Sequence, residues 1–202
     1  MVGIGFTRDF AWTHTTNTAA RITFHQLQLD PADPTRYVVD GRSKPMERKT
    51  LRVEVLQPDG RIAVHAHAYY ATDFGTVMAH PQLPWDSRHA YAVRDANTDN
   101  HRLADQWLAM NQSRSLAEMK EAVLRIVGNP WNNTLAVDAA GRALFMSATP
   151  TPNVSAQLLQ DCRPASTDEA LAGLPAAVLR GDTARCQWAN DPAAPQPGIF
   201  AG

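Results

Sequence analysis

From Ile22 to Leu29 the side chains alternate apolar with polar, and Thr50-Leu-Arg-Val-Glu-Val-Leu56 repeats the pattern. A period of two places successive side chains on opposite faces of an extended chain, so both segments predict half-wet β-strands. Phe10-Ala-Trp-Thr-His-Thr15 is aromatic and β-branched and predicts another strand. Asp30-Pro-Ala-Asp-Pro34 is a turn cluster whose two prolines are expected to stop any regular element. Tyr37-Val-Val39 reads as a short strand entering a turn at Asp40-Gly41. Pro58-Asp59-Gly60 closes a hairpin onto the strand Arg61–Tyr70. Residues 1–80 therefore predict a β-meander.

The first residues, Met1-Val-Gly-Ile-Gly-Phe6, have no basic region, long apolar run or small-residue cleavage site, so they are not a signal peptide. They read as a strand already under way, running to Thr7 and broken at Arg8-Asp9. Either something preceding has been lost or a short edge strand begins the fold.

Between residues 81 and 147 the period changes. Leu103, Trp107, Leu108 and Met110 share one helical face within Asn100–Gln112. Ser115 with Glu118 forms a capping box, and Leu116, Met119, Val123, Ile126 and Val127 make the stripe of a second helix. Gly128-Asn129-Pro130 ends it. Thr134–Val137 and Ala143–Met146 flank Asp138-Ala-Ala-Gly141 as a hairpin. From residue 148 to 202 the chain turns to Pro, Ala and short polar residues, predicting an irregular tail. Weak helical signals remain near Glu169–Leu171 and Ala176–Leu179. The order favours an α+β layered fold, with mostly antiparallel strands and a helical pair near 99–128, in a single partial domain.

Lys and Arg total 19 against 20 Asp and Glu among 202 residues, so no charge bias drives binding to nucleic acid or an anionic membrane. No apolar run approaches the roughly 20 residues of a membrane span. His65 and His67 share one strand face, a spacing some metal sites use, but no third ligand follows and a solvent-facing pair is favoured. Val2–Phe6 lacks the third glycine and following helix of a phosphate loop. No serine sits in a G-x-S-x-G elbow. Asn111, Asn132 and Asn153 begin glycosylation sequons by pattern only. Cys162 and Cys186 are either inert thiols or a bridge stapling the tail, stabilising it by about 3 kcal/mol. Taken alone, these residues assemble no complete catalytic machinery.

Many stretches in order resemble the penicillin acylase family of N-terminal-nucleophile hydrolases, nearest to the acyl-homoserine lactone and aculeacin-type acylases. They are Ile4–Thr16, Leu29–Pro34, Arg36-Tyr37, Asp40-Gly41, Ala90–Asn97, Gln106-Trp107, Asn111-Gln112 and Pro130–Leu135. Gly173-Leu-Pro175 and Arg185–Trp188 extend the similarity through the tail. The resemblance implies an αββα sandwich, of which this chain is an internal section of the β subunit. In that family an N-terminal serine attacks the amide carbonyl while its own α-amine takes the proton. The resemblance sets that serine and a supporting histidine before the first residue, and a catalytic asparagine and arginine beyond Gly202. The isolated chain is therefore expected to be inert.

The same resemblance gives Thr16 the oxyanion-hole position, where a backbone N–H is worth about 3 kcal/mol of transition-state stabilisation. Valine or alanine is more familiar there, but the role belongs to the backbone. Trp107, Trp131 and Asn132 match positions lining an acyl pocket, where each buried methylene contributes about 0.8 kcal/mol. On spacing alone Trp107 reads as ordinary core. Ala19-Ala20-Arg21 stands where some relatives bind calcium through aspartates, so no metal or other cofactor is expected. Phe74-Gly75-Thr76 lacks the proline usual in that segment.

The implied partners are an N-acyl small molecule, the α subunit and the remainder of the β subunit. The implied location is the periplasm or outside the cell, where Cys162 and Cys186 are expected to pair. The rival expectation is a non-catalytic remnant or binding module that keeps only the acyl pocket.

Overall fold

The computed structural model describes residues 3–81, 83–165 and 176–200. The first nine strands are β1 (Gly5–Phe6), β2 (Phe10–Thr16), β3 (Ile22–Asp30), β4 (Asp33–Val39), β5 (Arg42–Pro45), β6 (Glu47–Leu56), β7 (Ile62–Thr72), β8 (Gly75–Met78) and β9 (His89–Asp95). Helices α1 (Leu103–Gln112) and α2 (Leu116–Ile126) follow, then β10 (Asn132–Asp138) and β11 (Ala143–Met146). A short helix α3 (Ala156–Asp161), β12 (Ala177–Arg180) and a 3₁₀ turn at Ala184–Cys186 complete the elements.

These form two compact units, each assembled from separated stretches. One comprises Met1–Arg21, Asp95–Val154 and Trp188–Gly202, the other Ile22–Arg94 and Ser155–Gln187. A linear division at residues 80 and 147 therefore does not follow the chain in space. Pairing between strands more than a hundred residues apart, such as β2 with β10, decides the units, and local patterns carry no sign of it.

The first unit holds a sheet in the order β1-β2-β10-β11. Phe10 and Trp12 of β2, Ala136 of β10 and Met146 of β11 pack with Met110 of α1 and with Met119 and Val123 of α2. The helices thus cover one face of the sheet. The opposite face, with Ala11, Leu135, Val137 and Phe145, is an open apolar groove. Residues Met119 and Val123 of the predicted stripe are buried as the periodicity requires. In α1 the buried residues are Gln106 and Met110, whereas Leu108 is 57% exposed. The apolar face predicted for α1 is therefore rotated, because a buried glutamine stands in the core stripe. Ser115 Oγ accepts the Glu118 N–H at 3.2 Å, and the Glu118 carboxylate takes the Arg114 N–H at 2.8 Å.

The second unit holds an eight-stranded sheet in the order β5-β4-β3-β9-β8-β7-β6, with β12 parallel to β3. It is two meanders joined where β9 lies beside β3, and β2 belongs to the other sheet. Its core gathers Leu27, Leu29, Tyr37, Val39, Met46, Phe74, Val77, Ala90 and Ala92. The Asp30–Pro34 cluster is not a long break: only Pro31-Ala32 turns, and Pro34 lies inside β4. Proline is tolerated in a strand where its missing N–H is not needed by the ladder. Gly75 has φ +117°, and a Cβ there would run into the Val93 carbonyl, so the β7–β8 turn requires glycine. The tail is more regular than its composition predicts. Ser155 caps α3 through the Leu158 N–H at 3.0 Å, and where a weak helical signal lies near Ala176–Leu179 the chain forms the strand Ala177–Arg180, because β3 offers it a parallel ladder. Glu169–Leu171 and Gly173–Pro175 lie outside the described residues.

Candidate active site

Thr16 is the last residue of β2, and two backbone bonds fix the direction of its amide. Ala139 N–H donates to the Asp9 carbonyl at 2.9 Å, and Asn17 N–H donates to the Trp131 carbonyl at 2.7 Å. Bonded pairs in an antiparallel ladder recur at every second residue. The odd-numbered residues of β2 therefore form the ladder bonds to β10, and the even-numbered ones direct their N–H to the other edge, while at the strand end the Thr16 carbonyl accepts Asn133 Nδ2 at 3.1 Å. On that edge Gly5, the first residue of β1, lies opposite Trp12. Thr16 is four residues further along, so its N–H points past the end of β1. The residue is exposed.

Asn132 stands directly across from Thr16. A pair that exchanges no ladder bonds has Cα atoms about 4.5 Å apart, which brings the two side chains together on the helix-covered face. His14 is one pleat earlier on that face. Its Nδ1 lies 3.2 Å from the Asn133 carbonyl oxygen and 3.3 Å from Thr134 Oγ1. A carbonyl only accepts, so Nδ1 carries the proton and donates. Burial holds the His14 pKa below the usual imidazole value, opposed by the bond to Asn133. The neutral ring meets Trp107 edge-on. Thr16, Asn132 and, through His14, Trp107 thus share one end of the sheet. Trp131 enters the same strand end with half its surface (51%) in solvent.

Asn17 is the buried residue that residue patterns did not single out. Its Nδ2 donates to Ser147 Oγ at 2.7 Å and its Oδ1 accepts the Ala19 N–H at 2.6 Å. This Asx turn fixes the chain leaving Thr16, and the available signal was an asparagine at a strand end. The segment after it is held by Ala96 N–H on the Arg21 carbonyl at 2.9 Å. Among the described residues no three His, Cys, Asp or Glu side chains converge to hold a metal. His65 and His67 share a face with Val53 and Leu51 on an exposed ribbon of the second unit.

Also in the second unit, Cys162 and Cys186 are joined by a disulfide with Cα atoms 5.5 Å apart. Both are buried, Cys162 following α3 and Cys186 ending the 3₁₀ turn. The Cys162 carbonyl also accepts the Arg180 N–H of β12 at 2.7 Å.

The sequence model of penicillin amidase matches residues 1–200. The acyl-homoserine lactone acylase PvdQ of Pseudomonas fluorescens is 46% identical over 202 residues, 100% of this chain and 25% of that protein. The aculeacin-A acylase of Actinoplanes utahensis is 36% identical over 201 residues, 99% of this chain and 25% of that protein. The chain thus spans about a quarter of the length of these curated relatives. Among solved structures, a thermostable penicillin G acylase from Alcaligenes faecalis superposes with a TM-score of 0.65 at 20% identity, covering 78% of this chain and 27% of that one. The α+β, mostly antiparallel architecture is therefore a portion of the N-terminal-nucleophile hydrolase fold. By the match that runs along nearly its whole length, this chain belongs to the penicillin amidase family.

Proposed function

We propose that this chain is one section of an amide hydrolase that removes the acyl chain from N-acyl-homoserine lactones or related N-acyl compounds. The nucleophile is an N-terminal serine supplied outside residues 1–202. Its Oγ attacks the amide carbonyl carbon, and its α-amine accepts the hydroxyl proton. The carbonyl oxygen becomes an oxyanion, which the Thr16 N–H stabilises by hydrogen bonding. Collapse breaks the C–N bond, the leaving amine takes the proton, and water then releases the acyl group from the serine. Trp107, Trp131 and Asn132 line the acyl pocket, where aromatic walls suit an aliphatic chain.

The observation that supports this reading is the direction of the Thr16 amide, which the ladder register turns away from β10 at the end of β2. An oxyanion hole requires a backbone donor that is already oriented and lies outside the ladder to the neighbouring strand. Names alone favour N-acyl-homoserine lactones, since six of the relatives carry that description. The buried disulfide favours an oxidising compartment such as the periplasm or the exterior. Among the described residues no helix is long and apolar enough to cross a membrane. The α subunit and the rest of the β subunit complete the site, and residues 1–202 alone are inert.

The test is to incubate the full-length protein carrying this chain with N-acyl-homoserine lactones and follow free homoserine lactone and fatty acid by mass spectrometry. Release of both, with a transient acyl adduct on an N-terminal serine, is expected. Binding without turnover would instead make this a binding module, and turnover by residues 1–202 alone would exclude the absent serine.

A further inference from the structure

Four side chains from one short stretch close on the backbone between α2 and β10. Asn97 Nδ2 donates to the Pro130 carbonyl oxygen at 3.0 Å, and Asn100 Nδ2 to that of Gly128 at 3.0 Å. Arg102 donates from Nε to the Ile126 carbonyl at 2.9 Å and from Nη2 to that of Val127 at 3.2 Å. Gln106, with no exposed surface, uses both ends of its amide. Its Oε1 accepts the Gly128 N–H at 3.0 Å, and its Nε2 donates to the Ala122 carbonyl at 3.2 Å.

Beyond the clamp the same backbone stays engaged. The Trp131 carbonyl is taken by the Asn17 N–H at 2.7 Å, and the Asn132 carbonyl by Asn129 Nδ2 at 3.0 Å. Within the clamp Val127 has φ 47°, a left-handed conformation that a β-branched residue adopts only under constraint. Gly128 has no space for a side chain, because a Cβ would strike the Arg102 carbonyl.

Capping α2 requires only the bonds to its last carbonyls, which Arg102 supplies. Asn97 goes further, fixing the residue immediately before Trp131. A partly buried network with this many bonds to one short run of backbone makes a segment rigid. A rigid wall rejects a chain one or two methylenes too long, whereas a yielding wall adapts to it.

We propose that Asn97, Asn100, Arg102 and Gln106 are positioning residues that hold Trp131 as an unyielding wall, so that this clamp sets how sharply acyl chains are discriminated by length. The inference rests on the proposed reading of Trp131 as part of an acyl pocket.

Its test uses the full-length protein and a series of N-acyl-homoserine lactones differing only in acyl length. Asn97→Ala and Gln106→Met should flatten the kcat/KM ratio between the preferred chain and one two methylenes longer by about tenfold, chiefly through KM. Gln106→Glu, which keeps the acceptor for Gly128, should fall between Gln106→Met and wild type. Should Gln106→Met fail to fold, half-buried Asn97 carries the same comparison. An unchanged ratio, or an equal loss at every chain length, overturns the clamp while leaving the acylase reading intact. A wild type that cleaves no N-acyl amide overturns the acylase reading and the clamp with it.

Discussion

The imidazole of His14 stands edge-on to the indole of Trp107, with ring centroids 4.5 Å apart and planes at 88°. This is the favoured electrostatic arrangement for two aromatic systems, and such pairs are worth about 1 kcal/mol beyond the area they bury. It ties α1 to the strand that carries Thr16.

Replacing His14 should therefore loosen that tie in a graded way. His14→Ala removes the ring contact and the hydrogen bond to Asn133, together about 2 kcal/mol. His14→Phe keeps the edge contact and loses only the bond, so its loss should be about half as large. Urea denaturation followed by circular dichroism measures both. Equal losses for the two variants would show that the ring contact carries no stability.

His25, fully buried in the second unit, gives a stability that depends on pH. Burial lowers its pKa from 6.5 to about 4, partly opposed by the Cys186 backbone and reinforced by the charge of Arg94. Between these values the unfolded chain binds a proton that the folded one refuses, so stability rises with pH. The contribution is complete above about pH 6.5 and is lost as pH falls to about 4, amounting to roughly 3 kcal/mol. His25→Leu should flatten the unfolding free energy across that window. A wild-type slope that persists in the variant would assign the effect to other groups.

Reduction or removal of the Cys162–Cys186 bond should destabilise the second unit selectively. The bridge closes a separation of 24 residues, which corresponds to about 3 kcal/mol in the chain-entropy model. A Cys162→Ala/Cys186→Ala variant should expose the amides of β12 to hydrogen exchange earlier than those of β10. Free thiols in non-reducing peptide maps of exported protein would contradict the pairing.

How far the sequence could be read depended on the range of the interactions involved. The capping box at Ser115, the stripe of α2 and the hairpin of β10 with β11 are local, and periodicity and turn chemistry disclosed them. β5, Arg42-Ser-Lys-Pro45, has three polar residues before its proline and is wholly exposed, so it has no alternation to display. β12 is a strand only because β3 lies beside it, a fact more than a hundred residues distant in sequence. The same holds at the candidate site. Thr16, Trp107, Trp131 and Asn132 were named from resemblance, yet only the ladder register gives the direction of the Thr16 amide. Gln106 was invisible as a core residue because its two partners, Gly128 and Ala122, are fixed by the packing of two helices.

The most direct measurement compares Thr16→Pro with Thr16→Val in the full-length protein. Proline deletes an N–H that takes no part in the ladder to β10, so the strand pairing survives. The expected result is a fall in kcat on the order of a hundredfold or more for Thr16→Pro, with Thr16→Val, which keeps the amide, staying near wild type. A folded Thr16→Pro enzyme that turns over N-acyl substrate at the wild-type rate would contradict the assignment of this backbone to the oxyanion.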